Sequence, residues 1–150
     1  MTRTEHWEQL SEHGWKRMAE DWLSANKLEP PDDDERQEIS EVNLVVTEMR
    51  FDASFRKLWS FILLTLSLAE TEWQFGQIGA GPLEHILGWQ QKWDEANYIQ
   101  LIEQEAKTNG RLNRALLIVQ KYMMSDQVWM RVQSLQEQIK SGQLPLHEIR

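Results

Sequence analysis

Cysteine is absent from the 150 residues, which excludes disulfides and thiolate metal sites and agrees with a reducing compartment. Long apolar runs are missing too. The most apolar segment, residues 61–69, is far shorter than the roughly 20 residues that cross a bilayer. The opening MTRTEHWEQLSEH has no apolar core of the secretory type. These absences lead to the expectation of a cytoplasmic protein that makes no use of a membrane.

Catalytic signatures are equally scarce. No serine sits in a G-x-S-x-G context and no HExxH occurs, so nucleophilic catalysis and a helical zinc site lack their usual signals. His6 and His13 lie seven apart, and the intervening turn offers Gln9 and Leu10. Glu103 and Glu105 are two apart and diverge on a helix. The expectation is a non-enzyme with no cofactor and no metal. An enzyme acting through Glu84 and His85 is the least favoured of three functional readings.

What the chain does have is tryptophan, eight in all, within an otherwise ordinary 41% hydrophobic and 27% charged composition. Each aromatic buries roughly 150–250 Å², so the tryptophans should dominate packing. One domain over 1–150 is expected, interrupted by an acidic linker at about 28–37.

The formal charge of −8 is unevenly spread, with fourteen acids and six bases in residues 1–52 but ten of each in 53–150. An acidic surface disfavours nucleic acid and favours a basic protein partner or plain solvation. The acids concentrate at Glu29, Asp32, Asp33, Asp34, Glu35, Glu38 and Glu41, which form the candidate partner-binding set. The ordered spacing of a calcium loop is absent there. The bases Lys107, Arg111, Arg114 and Lys121 have no acid among them. Without interleaved exposed aromatics they do not make a nucleic-acid face, and they are expected to be solvated or to pair with the acidic first third.

Apolar spacing predicts an all-α fold of six or seven helices, packed as an antiparallel bundle or as stacked helical hairpins. The first helix, over about 5–27, carries Trp7, Leu10, Trp15, Met18, Trp22 and Leu23 on one side, with Gly14 as a place to kink. Pro30 and Pro31 stop it, and LEPPDDDER follows as an exposed turn. The second runs over about 38–50 with Ile39, Val42, Val45, Val46 and Met49 inward. Asp52 caps the third, which is apolar almost all round and is the candidate central helix. Later helices are expected from about 94 to the pair Asn109-Gly110, from about 112 to 122, and from Ser125 to Ser141-Gly142. The tail QLPLHEIR is expected to pack loosely.

The stretch IGAGPLEHIL, residues 78–87, is expected to be a rigid corner. Gly79 supplies conformational freedom, Gly81 is the N-cap, Pro82 fills the first helical position, and Glu84 reaches back to the cap amide. A phosphate loop is disfavoured: Glu84 stands where GxGxxG needs its last glycine, and no lysine and hydroxyl follow. The neighbouring Trp73, Trp89 and His85 are where a pocket would be sought.

The run WQFGQIGAGPLEHIL, preceded by KLWSFILLTL and followed by YIQLIEQEAKTNGRLNRAL, resembles an uncharacterised bacterial family with an [IL]-G-A-G-P-L-E-x-[IL]-L core. The resemblance covers about 51–122. It implies a bacterial origin and a helical fold, and it assigns neither an activity nor any functional residue. The leading functional expectation is therefore a small binding protein of the immunity or antitoxin kind that masks a basic partner. The alternative is a structural or regulatory helical module that binds through exposed tryptophans such as Trp7 and Trp15.

Overall fold

The computed structural model describes residues 2–88 and 95–149, with the backbone alone at 3, 4, 37–42 and 95–97. The fold is all-α, and among the described residues there is no strand. The helices are α1 (Arg3–Glu8), α2 (Glu12–Ala25), α3 (Asp33–Asp52), α4 (Phe55–Leu68), α5 (Glu72–Ile78), α6 (Glu84–Gly88), α7 (Glu95–Ala106), α8 (Gly110–Leu116) and α9 (Asp126–Lys140), with a π-helical turn over Gly79–Leu83. They are more numerous and shorter than the apolar spacing suggests. The chain divides into two compact units, Met1–Gln74 and Phe75–Arg150.

In the first unit the expected 5–27 helix is two helices. Ser11 is extended, and its side chain accepts the Gly14 amide at 3.1 Å, so α2 starts at a cap. Gly14 therefore lies in the first turn of α2 and marks no mid-helix kink. α1 opens on a capping box between Thr2 and Glu5. Likewise Asp32 caps α3 by accepting from Glu35 N at 2.9 Å, so the second half of the expected acidic linker is helix. α3 continues through Phe51 and Asp52, and the cap of α4 is Ser54, not Asp52.

α2 packs on both α3 and α4. Trp15, Trp22, Leu23, Val46, Met49, Leu58, Phe61, Ile62 and Leu66 form the buried core. The rings of Trp7, Trp15, Phe61 and Trp22 follow one another at centroid spacings of 6.0, 6.3 and 6.5 Å. Leu63, Leu64 and Leu68 of α4 are half-buried, so α4 buries one face rather than its whole circumference. Val45, expected inward, is exposed. The side chains of Ile39 and Val42 lie outside the described residues.

The open C-terminal carbonyls of α2 and the turn after it are satisfied by side chains, one from the C-cap itself and others distant in sequence, as buried helix ends require. Asn26 donates to Trp22 O at 2.8 Å and to Asn43 Oδ1 at 2.9 Å. Gln74 donates to Leu23 O at 2.7 Å, and the Thr71 hydroxyl donates to Lys27 O. Gln74 and Thr71 also form the start of α5, where Gln74 Oε1 accepts the amides of Glu70 and Thr71 and the Thr71 hydroxyl accepts the Gln74 amide.

In the second unit the expected corner is continuous helix. Ile78 and Glu84 both have right-handed helical angles, and no side chain caps between them. Gly81 is not an N-cap, and Pro82 lies inside the helix. Proline has no N–H, and its ring crowds the carbonyl four residues back. The wider π turn relieves both problems by shifting the bonding to five residues, as in the bond from Glu84 N–H to Gly79 O. Glu84 does not return to a cap; its carboxylate accepts from Gln120 N at 3.4 Å.

α8 packs on the π turn, α7 and α9. Asn109 does not end a helix but begins one, accepting from Leu112 N at 2.9 Å. α8 stops at Leu116, short of the expected 122, and the following turns include Met123 at φ 61. α9 matches its expected bounds: Ser125 caps it, and Gly142 at φ 82 follows its end. The tail is held rather than loose. Asn113 donates to Ala106 O and Pro145 O at 2.8 and 2.7 Å. Arg114 donates twice to His147 O, and His147 N donates to Gly110 O at 3.1 Å.

Candidate functional site

The first unit carries a groove of about 800 Å³ bounded by α1, α2 and α3. That size lies within the roughly 300–1,000 Å³ of ligand clefts. The Ser11 cap sets the break between α1 and α2, and Trp7, Leu10 and Met18 line the groove together. Glu8 anchors α1 from the other side by accepting from the Ser54 hydroxyl. Trp7 is buried, and Leu10 and Met18 are half-buried. Val45 and Val46 close the groove from α3.

The rim is polar, made by His6, Arg17, Asp21 and Ser24. Arg17 and Asp21 are four apart on α2 and both exposed. Unlike Lys16 and Glu20, which approach to 3.7 Å, they form no ion pair among the described residues. The lining thus combines an apolar floor with a polar rim.

The acidic candidates lie along the same unit. Glu29, Asp32, Asp33, Asp34 and Glu35 are exposed, with Asp33, Asp34 and Glu35 in the first turn of α3. Carboxylates are favoured there by the helix dipole. Glu29 approaches Arg36 at 3.8 Å, both side chains facing water. Glu38 and Glu41 belong to α3, and their side chains lie outside the described residues.

The candidate tryptophan face is not a surface. Trp7, Trp15 and Trp22 are only 7%, 8% and 5% exposed, so the alternative reading loses its contact residues. The exposed large apolar side chains among the described residues of this unit are instead Leu28, in the turn after α2, and Leu44, Val45 and Phe51, which no periodicity singles out because they share α3 with buried neighbours.

In the second unit, His85 is buried beside a half-buried Glu84, and Trp89 lies outside the described residues. The basic set is occupied locally. Arg114 holds His147 O, Arg111 lies 5.9 Å from the Phe75 ring centroid, and Lys121 pairs with Asp126. That pairing holds the Asp126 carboxyl below the ordinary aspartate value, first through the hydrogen bond from Lys121 and then through its charge. Glu103 forms a two-pronged pair with Arg131 and raises its already high pKa, chiefly through those hydrogen bonds. Among the described residues, no three histidine or carboxylate side chains converge as metal ligands.

A family model matches residues 29–139 of the chain. The chain belongs to DUF6869, a family of unknown function. The matched region of DUF6869 here takes in all of α3 through α8 and most of α9, and with them the IGAGPLEHIL stretch and the acidic run. The groove straddles its edge: Val45 and Val46 lie within the match, while the α1 and α2 walls precede it. No curated protein and no solved structure matches the chain.

Proposed function

We propose that this DUF6869 protein is a non-catalytic binding domain for a basic protein partner, of the immunity or antitoxin kind, working in the bacterial cytoplasm. The observation that carries the reading is the cluster Glu29, Asp32, Asp33, Asp34 and Glu35: all five are exposed, and among the described residues Arg36 is the only cation beside them. The whole net charge lies in the same unit, with sixteen acids and eight bases in residues 1–74 against eight of each in 75–150.

A carboxylate cluster at a helix start is kept without strain, because the helix dipole favours it. Its second effect is outward. Such a patch raises the encounter rate with a cationic surface and selects against anionic ones. The cysteine-free composition suits the cytoplasm.

The test is affinity capture from the native host with the full chain, at low and high salt, against a variant carrying Asp32→Asn, Asp33→Lys, Asp34→Lys and Glu35→Lys. Asparagine keeps the cap. A basic partner should be captured by the native chain at low salt, fade at high salt and be lost with the variant. A partner retained unchanged by the variant at low salt overturns the reading.

A further inference from the structure

We infer that the groove bounded by α1, α2 and α3 receives an amphipathic helix of the partner, apolar on the side facing Trp7, Leu10 and Met18, and bearing lysine or arginine on the side facing Asp21 and the start of α3. This rests on the basic-partner reading above and names the segment that docks.

Three observations converge on it. The groove floor is built mainly from apolar side chains, Trp7, Leu10, Met18, Val45 and Val46, the kind of surface that receives the apolar face of an amphipathic helix. Its floor continues onto solvent-exposed apolar surface, since Val45 is 46% and Leu44 57% exposed on the adjoining helix. Charge complementarity selects the polar side of the occupant: the unit carries the entire −8, and the exposed acids Asp32 to Glu35 open the same helix that closes the groove, while the rim's own charges, Asp21 and Arg17, balance each other.

The scale agrees. Asp34 and Val45 are eleven residues apart on α3, about 16 Å at 1.5 Å per residue. A partner helix seated in the groove therefore needs about three further turns along α3 to bring a basic end to the acidic run.

The experiment uses the full chain and two labelled synthetic helices of about five turns, one with leucine opposite lysine and one with leucine opposite glutamate. Binding is read by fluorescence anisotropy, and location by NMR shifts of the Trp7 indole and the Met18 methyl. The lysine helix should bind, shift both signals, and lose about tenfold or more in affinity with Val45→Trp, which fills the groove from an exposed position. Circular dichroism verifies that this variant folds. Asp33→Lys with Asp34→Lys should weaken binding at low salt.

If the lysine helix binds but Val45→Trp changes nothing and Trp7 and Met18 do not shift, the groove inference falls while the basic-partner reading stands. If the glutamate helix binds as well, or the acid substitutions have no effect, the charge argument falls and takes the basic-partner reading with it. If neither helix binds, the groove inference is overturned.

Discussion

The backbone carbonyl of Ala115 occupies the space a side chain on Gly79 would need. A Cβ at Gly79 would overlap that carbonyl and lie 3.0 Å from Ile118 Cβ. The glycine is there for close approach, and alanine would force α8 outward. Gly79→Ala is expected to destabilise the chain by about 1–3 kcal/mol, the usual scale of overpacking, despite a helix-propensity gain of up to about 1 kcal/mol. Gly76, in the same run of helix, has nothing within 4 Å of its Cβ position. Gly76→Ala should stabilise by about 0.5–1 kcal/mol. Urea unfolding of both variants checks the pair, and equal effects would show that packing against Ala115 does not decide them.

Gln74 is 4% exposed and satisfies three backbone groups at once: the amides of Glu70 and Thr71, and the carbonyl of Leu23. Gln74→Ala should cost about 2–3 kcal/mol, since each buried group left without a partner costs about 1–3 kcal/mol and water relieves part of it. The measurement is the urea midpoint, with the slope unchanged. A loss under about 0.5 kcal/mol would mean that water replaces the side chain without penalty.

Arg114 holds the chain end by donating twice to His147 O, at 3.1 and 2.7 Å. Arg114→Ala should lower stability by about 1–2 kcal/mol, the scale of charge-assisted bonds at a half-buried site. It should also speed hydrogen exchange at the His147 amide, which donates to Gly110 O. Unchanged exchange would assign the tail's attachment to Asn113 and to the Phe75–His147 ring contact at 5.8 Å.

Asp126 is fully exposed, and Lys121 lowers its pKa. A carboxyl whose folded pKa is depressed contributes stability above its unfolded pKa and loses it as pH falls through the folded value. The window is therefore the acid side of the ordinary aspartate range. NMR titration should find Asp126 protonating below a normal aspartate, and Lys121→Ala should return it to the normal range. An unchanged midpoint in that variant would remove Lys121 as the cause.

The helical class, the apolar faces of α4 and α9, and the Ser125 cap were all legible from local pattern, because each depends on neighbours within one or two turns. Other caps are just as local, among them Ser11 inside an apparently continuous tryptophan stripe, Ser54 two residues beyond Asp52, and Thr71 with Gln74 ahead of a short helix. The groove was not legible at all. It exists because α1 breaks from α2 at Gln9–Leu10 and because α3 crosses their faces, and its lining comes from segments more than twenty residues apart.

By itself the sequence determined the all-α class, the concentration of negative charge in the first third and the burial preference of the tryptophans, since composition and 3.6-residue spacing act locally. Only the tertiary structure decided what Gly79, Pro82 and Glu84 do. A Gly-Pro pair ahead of an apolar turn satisfies the rules for a capped corner and for a π turn equally well. What selects between them is the Ala115 carbonyl, thirty-six residues on, which leaves no room for a side chain at Gly79.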